Sequence, residues 1–435
     1  MRVHFIGIGG IGLSALARFL KYDGHEVSGS DMKSSPITKE LIKEGIKVSC
    51  PQDAKNIVDN FDLVIYSAAV TDENPELIEA RLKQIRTLSR KEALPIILGD
   101  KKNYCVAGAH GKSTTTAILA SILQSSALIG AISKDFGSNF RYVNNLVTFE
   151  ADESDASFLL SNPYCSIVTN AEPEHMEYYH YDYDKFFDSY KKFIELAKKR
   201  VLNGEDKYIQ KLDIKDALYL YPSKDIKNIS YLLREGEPCT RFELKNYGSF
   251  EVWGFGYHIA IDASLAILAA LNELDIETIR ENIKNYKGIK KRFDLIQKND
   301  KFALVDDYAH HPTEIEATMK SVELYDNLTN INKRVVIWQP HKYSRTNDNL
   351  EGFKKCFRRC DELVILPLWT IPGEQVIEID FEKEFSSYNP IFADRLKASE
   401  GKIELIKDDK IIKTYDEGIL LGVGAGDITY QLRGY

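Results

Sequence analysis

The residues best suited to chemistry are 106–116, which read Val-Ala-Gly-Ala-His-Gly-Lys-Ser-Thr-Thr-Thr. The apolar run before them predicts a buried strand, and the hydroxyl residues after Lys112 predict the start of a helix. Backbone N–H groups at such a turn bind phosphates, while Lys112 can add positive charge and Ser113 can ligate Mg²⁺. A standard Walker A motif would place glycine at position 106, so this is the shorter GxxGK[ST] form. The alternative is a strand–turn–helix connection whose lysine has no ligand.

An acidic run follows the apolar residues 146–149, with carboxylates at Glu150, Asp152, Glu153 and Asp155. A carboxylate at the end of a strand beside a phosphate loop is placed to ligate a nucleotide-bound Mg²⁺. The same residues could instead form the acidic first turn of a helix. His175 follows another predicted strand, over residues 165–169, and could complete a magnesium site or remain a polar loop residue.

A second glycine-rich turn, Gly7-Ile-Gly-Gly-Ile-Gly12, follows the first predicted strand and fits the GxGxxG pattern. Asp31 ends the next strand, where an acid could hold a ribose. The pattern indicates that a diphosphate-bearing nucleotide can approach the helix N-terminus. It leaves open NAD(P), a UDP-type diphosphate and an empty turn.

In the C-terminal third of the chain, two predicted strands are each followed by a loop rich in histidine and charged residues, at residues 306–314 and 339–346. Pro312, Thr313 and Glu314 are typical of a helix start. Helix capping does not explain His310 together with the basic residues of the second loop. A cationic pocket for a carboxylate or a transferring phosphoryl group would explain this combination of residues.

The sequence shows three successive alternations of predicted strands and helices, and these elements must position the loops. It therefore predicts α/β domains with parallel, doubly wound sheets. The predicted strands lie at residues 3–6, 26–29 and 63–67, then at 104–107, 146–149 and 165–169, and finally at 302–306, 334–337, 362–366 and 419–422. Helices are predicted at 14–20, 37–44, after Ser113 and at 259–274.

The charge, apolar pattern and cysteine distribution of the chain argue against several classes of function. The formal net charge of −8 over 435 residues argues against a nucleic-acid or anionic-membrane surface. No run of 18 apolar residues occurs, and the chain begins directly with a predicted strand, so we expect neither a membrane span nor a signal peptide. The six cysteines are scattered, which predicts reduced, mostly buried thiols in a cytoplasmic protein.

With these motifs in order, the chain resembles the Mur ligases of bacterial peptidoglycan synthesis, in particular the members that add L-alanine. The matching segments are 7–14, 108–116, 150–159, 169–179, 291–293, 306–314, 339–346 and 424–428. The resemblance implies a Rossmann-like N-terminal domain (1–98) for the UDP-sugar, a P-loop-type central ATPase domain (99–293) and a Rossmann-like C-terminal domain (294–435) for the amino acid. It implies ATP-dependent amide formation between the lactyl carboxylate of UDP-N-acetylmuramate and L-alanine through an acyl phosphate, with Mg²⁺ or Mn²⁺, in a monomer or homodimer.

The resemblance also implies roles for individual residues. Lys112, His310, His341 and Arg345 would be catalytic. ATP would contact Gly108, Ala109, His110, Gly111, Lys112, Ser113, Thr114, His258, Asp262, Arg292 and Asp307. The UDP-sugar would contact Gly9, Gly10, Ile11, Gly12, Ser14, Asp31 and Ser67, and the amino acid Tyr308, His341, Lys342 and Arg345. The metal would be held by Ser113, Glu153 and His175.

One departure from the family pattern affects adenine recognition. Where relatives have His-Asn-x-x-Asn, this chain reads His258-Ile-Ala-Ile-Asp262, and an ionised aspartate can only accept hydrogen bonds. Three other functions remain open on the sequence: a recycling ligase that joins a preformed peptide to the same sugar nucleotide, an NAD-dependent dehydrogenase and a non-catalytic nucleotide sensor.

Overall fold

A computed structural model describes residues 1–143, 145–174, 176–371 and 373–434. The chain forms two compact units. The first contains Met1–Ile229, Phe242–Val252 and His258–Lys287, and the second contains Ser230–Arg241, Trp253–Tyr257 and Gly288–Tyr435. In the described part of the chain, no helix is both long and apolar enough to cross a bilayer.

The first sheet of the first unit is entirely parallel and has the strand order β3-β2-β1-β4-β5. Its elements are β1 (Arg2–Ile6), α1 (Ile11–Tyr22), β2 (Glu26–Ser30), α2 (Pro36–Lys43), β3 (Lys47–Ser49), β4 (Leu63–Tyr66), α3 (Pro75–Leu82), β5 (Thr87–Ser89) and α4 (Arg90–Leu98). The order reverses between β1 and β4, which is where ligands of open α/β sheets bind. The glycine turn after β1 lies at this point.

Helix α1 packs on this sheet because its apolar residues recur at helical spacing. Leu16, Phe19 and Leu20 are almost completely buried. The turn before the helix needs glycine: Gly7 has φ of +82°, and a Cβ there would lie 2.8 Å from the Ser67 hydroxyl oxygen.

The second sheet of the first unit has the order β12-β11-β10-β6-β9-β7-β8, and only its β7–β8 pair is antiparallel. Its elements are β6 (Lys102–Ala107), α5 (Lys112–Leu123), β7 (Ser126–Leu128), β8 (Phe140–Arg141), β9 (Leu146–Glu150), β10 (Cys165–Val168), α6 (Tyr183–Leu196), β11 (Lys199–Asn203), β12 (Leu218–Leu220) and α7 (Pro222–Asp225). Then follow β13 (Ile226–Arg234), β14 (Glu237–Leu244) and β15 (Ser249–Trp253), which form a three-stranded sheet, and the helices α8 (Tyr257–Ala270) and α9 (Ile276–Asn282).

The second unit contains a six-stranded sheet of order β16-β17-β24-β18-β19-β20, in which only β16 is antiparallel to its neighbour. Its elements are β16 (Asp294–Lys298), β17 (Phe302–Asp307), α10 (Pro312–Thr329), β18 (Arg334–Trp338), α11 (Tyr343–Asp348), α12 (Leu350–Cys356), β19 (Glu362–Ile365), α13 (Phe381–Glu384), β20 (Ile391–Phe392), β21 (Arg395–Ser399), β22 (Lys402–Lys407), β23 (Lys410–Tyr415), β24 (Gly418–Val423) and α14 (Ile428–Leu432). Strands β21 to β23 form a separate antiparallel sheet.

The predicted α/β architecture with parallel, doubly wound sheets is confirmed, and each predicted strand corresponds to an observed one within three residues. The first helix begins at Ile11, earlier than the predicted Ser14, because the helix starts directly from the glycine turn. The sequence analysis missed the two- and three-residue strands, which are too short to show a periodic pattern. It also missed longer strands of five to nine residues, namely β11, β13 to β16 and β21 to β23. All six cysteines are free and four are buried, as expected.

The two sheets of the first unit share one hydrophobic core and are also linked by Arg18. Arg18 is 4% exposed; its guanidinium donates to both carboxylate oxygens of Glu44, at 3.0 and 2.8 Å, and to Asn139 Oδ1 at 3.3 Å. The Asn139 amide in turn donates to the carbonyl of Ile11 at 2.5 Å. The network therefore holds the start of α1 against the second sheet.

We expect Arg18→Ala to lower the free energy of unfolding by about 2 kcal/mol, because the partly buried carboxylate of Glu44 and the amide oxygen of Asn139 lose their guanidinium donor. Urea unfolding measures the change. Arg2→Ala is the control, since the Arg2–Glu26 pair is 47% and 71% exposed and exposed pairs contribute about 1 kcal/mol or less. Equal losses in the two variants would contradict the role assigned to Arg18.

Candidate active site

The phosphate loop connects β6 to α5 and is shaped by two glycines. Gly108 and Gly111 have φ of +141° and +82°, and a Cβ on Gly108 would lie 2.1 Å from the Thr169 hydroxyl oxygen. The Thr169 hydroxyl and the Asn170 amide donate to the carbonyl of His110 at 2.6 and 2.8 Å. The end of β10 thus fixes the loop, and the loop leads into the N-terminus of α5, as the sequence predicted.

Lys112 lies across its own loop. Its ammonium donates to Glu153 Oε1 at 2.8 Å, to the carbonyl of Ala109 at 3.3 Å and to the carbonyl of Gly108. The Lys112 side chain is 17% exposed and that of Glu153 is 1% exposed. The ammonium therefore holds oxygen partners at the place where the phosphates of a nucleotide would supply them.

Carboxylates converge on the same loop from β9 and the turn after it. Glu153 Oε2 is buried and has no hydrogen-bond partner in the described residues. Glu150 accepts from the Ser113 hydroxyl at 3.0 Å and from Gly130 N–H at 2.8 Å. Burial raises the pKa of both glutamates, and Lys112 opposes the shift. The sequence analysis named Glu150 as part of the acidic run but assigned the metal to Glu153 instead.

These groups are the hard oxygen donors that Mg²⁺ prefers. Glu153 Oε2 is free to ligate, and the Ser113 hydroxyl lies beside Glu150. Ser113 and Glu153 therefore supply two oxygen donors for a divalent cation, although the described residues contain no group of three or more His, Cys, Asp or Glu side chains placed to hold a metal ion. His175, the third predicted ligand, lies outside the described residues, and its role stays a prediction.

Asp262, on α8, packs against the phosphate loop. It is 6% exposed, and a Cβ on Gly111 would lie 2.5 Å from its Oδ1. Burial raises the pKa of Asp262 to about 8, although the nearby Thr115 hydroxyl opposes the shift. At neutral pH the group is therefore mostly a carboxylic acid that can donate one hydrogen bond, which an ionised aspartate cannot. His258 lies one helical turn earlier and is exposed.

The first glycine turn carries its own carboxylate. Asp31 Oδ2 accepts from the N–H of Gly9 at 2.8 Å, so this acid lies on the turn itself. Ser14 is fully buried and donates to the carbonyl of Ile11 at 2.9 Å. Ser67 lies opposite the turn and is half-buried. Of the other residues predicted to bind the sugar nucleotide, Gly10 and Ile11 are exposed and Gly12 is half-buried.

A cavity of about 140 Å³ opens between this turn and the phosphate loop. Gly12 and Arg90 line one side, and Lys112, Glu150 and Asp152 line the other. Arg90 and Asp152 face each other at 3.5 Å. Both predicted nucleotide loops of the first unit therefore border the same space.

In the second unit, the structure brings together four residues that the sequence predicted. Arg345 donates to His341 Nδ1 at 2.9 Å. The ring of His310 lies 6.5 Å from that of His341 and 5.3 Å from that of Tyr308. Glu314 accepts from the N–H groups of His310 and His311, and this contact fixes the turn before α10.

The remaining predicted residues of this unit surround that cluster. Asp307 is 5% exposed and accepts from the N–H groups of Phe293 and Ala309 at 2.8 and 2.9 Å, so its carboxylate organises the chain around the exposed Arg292. Lys342 has φ of +67°, a conformation that is unusual for a residue with a side chain. It joins His341 to the helix that carries Arg345.

Comparison with known proteins gives matches along the whole chain. Residues 2–102 match the family model "Mur ligase family, catalytic domain", and residues 291–414 match "Mur ligase, glutamate ligase domain". The UDP-N-acetylmuramate–L-alanine ligase of Campylobacter curvus is 54% identical over 434 residues, which cover 100% of this chain and 99% of that protein.

Solved structures agree in fold. A UDP-N-acetylmuramate–alanine ligase from Thermotoga maritima superposes with a TM-score of 0.79 at 26% identity, covering 100% of this chain and 97% of that one. A murein peptide ligase from Psychrobacter arcticus superposes with a TM-score of 0.63 at 20% identity, covering 100% and 97%, and this second likeness concerns the fold alone.

The environment of His341 leads to a prediction. Desolvation, followed by the charge of Arg345, lowers the pKa of His341 to about 4, so the ring is neutral at pH 7 and accepts at Nδ1. We expect NMR titration to place this pKa far below 6.5 and Arg345→Ala to raise it. Arg358→Ala, at an exposed arginine that is not among the charges acting on His341, should leave it unchanged. A His341 that titrates near 6.5 in the unaltered protein would contradict this account.

Proposed function

Because the chain belongs to the Mur ligase family, we propose that it joins L-alanine to the lactyl carboxylate of UDP-N-acetylmuramate at the expense of ATP. The full-length identity of 54% to a ligase of that name supports the substrate assignment. The structural observation that carries the proposal is the Lys112–Glu153 pair across a glycine loop at a helix N-terminus. That arrangement suits a nucleoside triphosphate.

The chemistry requires activation of the acid, because a carboxylate is a poor acyl donor. The lactyl carboxylate attacks the γ-phosphorus of ATP, the bond to the β–γ bridging oxygen breaks, and ADP leaves. The amine of alanine then attacks the acyl phosphate, loses a proton and expels inorganic phosphate. Lys112 exchanges its loop carbonyls for phosphate oxygens and stabilises the charge that develops during transfer.

Mg²⁺, or Mn²⁺, would be held by Ser113, Glu153 and the predicted ligand His175, and Glu150 lies close enough to support Ser113. Bound there, it would supply positive charge that offsets the charge of the triphosphate. His258 and Asp262 would lie at the adenine end of the nucleotide.

The other two substrates are assigned by domain. The sugar nucleotide would bind residues 1–98 at the turn of Gly9 to Gly12, and ATP would bind residues 99–293. The amino acid would bind residues 294–435, where Lys342 and Arg345 attract its carboxylate and His310 and His341 orient the acyl group. The protein would act as a monomer or homodimer. We assign it to the cytoplasm because six free cysteines are typical of a reducing compartment.

The alternatives fit the site less well. A dehydrogenase would use the first glycine turn, but it has no use for Lys112 and Glu153. A nucleotide sensor would need no cluster of His310, His341 and Arg345. A recycling ligase shares the motifs, so only its acceptor distinguishes it.

Lys112→Ala tests the phosphate loop. We expect kcat for phosphate release to fall roughly a thousandfold, about 4 kcal/mol, because the variant loses the cation that stabilises the transferring phosphoryl group. The control is Lys301→Ala, at a side chain that is 63% exposed, and it should retain normal turnover. Near-normal phosphate release by the Lys112 variant would refute the assignment of this loop.

A panel of acceptors tests the reaction. With ATP, Mg²⁺ and UDP-N-acetylmuramate, we expect L-alanine to support phosphate release and a preformed murein tripeptide to support none. Phosphate release with glycine and with L-serine measures how strictly the amino-acid pocket selects the side chain. Turnover with the tripeptide alone would identify a recycling ligase instead, and a change in nicotinamide absorbance would favour the dehydrogenase.

A further inference from the structure

A segment after β19 runs alongside the loop that carries His341. The N–H of Lys342 donates to the carbonyl of Trp369 at 2.9 Å, and the N–H of Trp369 donates to the carbonyl of Pro340 at 2.8 Å. Farther along, Glu374 Oε1 accepts from the N–H and the hydroxyl of Ser344 at 3.3 and 3.2 Å. These contacts tie the segment to the start of α11, which carries Arg345.

Only one of the two carboxylate oxygens of Glu374 has a hydrogen-bond partner among the described residues. Its Oε2 is inaccessible to solvent and has no hydrogen-bond partner among the described residues. A buried carboxylate oxygen without a partner costs free energy, so we expect a ligand, an ion or a water molecule to complete it. The sequence did not indicate this residue, because its segment shows no periodic pattern and no motif.

The surrounding charges indicate which ligand that is. An amino acid is a zwitterion, and the cluster of His310, His341, Lys342 and Arg345 offers only donors or cations for its carboxylate. The ammonium group needs an anion nearby. Glu314 accepts from two backbone N–H groups through one oxygen and caps a helix. Of the two glutamates, only Glu374 has an oxygen among the buried side-chain atoms that lack a partner in the described residues. The charge of Glu374 acts on His341, which places it within the same cluster.

We propose that Glu374 binds the α-ammonium group of the amino acid substrate through Oε2. The inference rests on the proposed function and deepens it. Glu374 receives a hydrogen bond from the ammonium group while the cationic side chains hold the carboxylate, so the amine is oriented before it loses its proton and attacks.

Glu374→Gln removes the charge and keeps an acceptor for Ser344. We expect the KM for L-alanine to rise roughly 10- to 100-fold, the range for losing a charged hydrogen bond, while the KM for ATP stays within about twofold. Glu378→Gln, at an exposed glutamate of the same segment, is the matched control and should behave as the unaltered protein. An unchanged KM for L-alanine in the Glu374 variant overturns the proposal.

A second measurement separates ammonium binding from a structural role. Propionate lacks the amino group, so as a competitor of L-alanine it should inhibit the unaltered protein and Glu374→Gln equally. Ser344→Ala removes one contact to Glu374 and leaves its charge, so it should raise the KM for L-alanine much less. Equal weakening of propionate and L-alanine would mean a distorted pocket and overturn the proposal. Failure of the unaltered protein to use any amino acid would instead reject the proposed function.

Discussion

The ion pair of Lys112 and Glu153 depends on two neighbouring strands ending at the same edge of one sheet. Strands β6 and β9 pair in parallel, with Val106 opposite Glu150, so the phosphate loop and the acidic turn leave the sheet together. A lysine ammonium that is mostly buried must be paired, and here a buried glutamate and two carbonyls of its own loop pair it. A triphosphate bound at this loop as proposed would have to displace these partners, so part of its binding energy would go into opening the loop.

If the loop binds a triphosphate as proposed, the same geometry favours one that arrives with a divalent cation. Glu150, Asp152 and Glu153 lie near one ammonium, that of Lys112, and a triphosphate alone would add to the negative charge. A divalent cation reverses this balance because it attracts both the carboxylates and the phosphates. Asp262 adds little repulsion at neutral pH, since burial keeps it mostly protonated.

The sequence predicted the parts of this arrangement that follow from local pattern. Apolar runs ending in glycine, carboxylate or histidine located the glycine turns, the acidic turn and the two histidine-rich loops. Within each parallel sheet, such loops leave from one edge. The sequence could not predict which side chains meet. Asp31 accepts from Gly9, Asp262 presses on Gly111 and Glu374 accepts from Ser344, and each contact joins residues 22 or more positions apart. Such contacts depend on packing between elements, which a single sequence does not encode locally.

The backbone at Lys342 shows how packing maintains a conformation that the residue itself disfavours. Its φ of +67° costs about 1–3 kcal/mol for a residue with a side chain. The N–H of Lys342 is held by the carbonyl of Trp369, and its carbonyl accepts from both the N–H and the hydroxyl of Thr346 at 3.1 and 2.8 Å. This turn starts α11 immediately after His341, so that Arg345 comes one helical turn later and reaches the imidazole. Glycine at position 342 would relieve the strain but would lose the cation. The same segment that stabilises the turn also carries Glu374, so the strained backbone and the proposed ammonium site depend on one set of contacts.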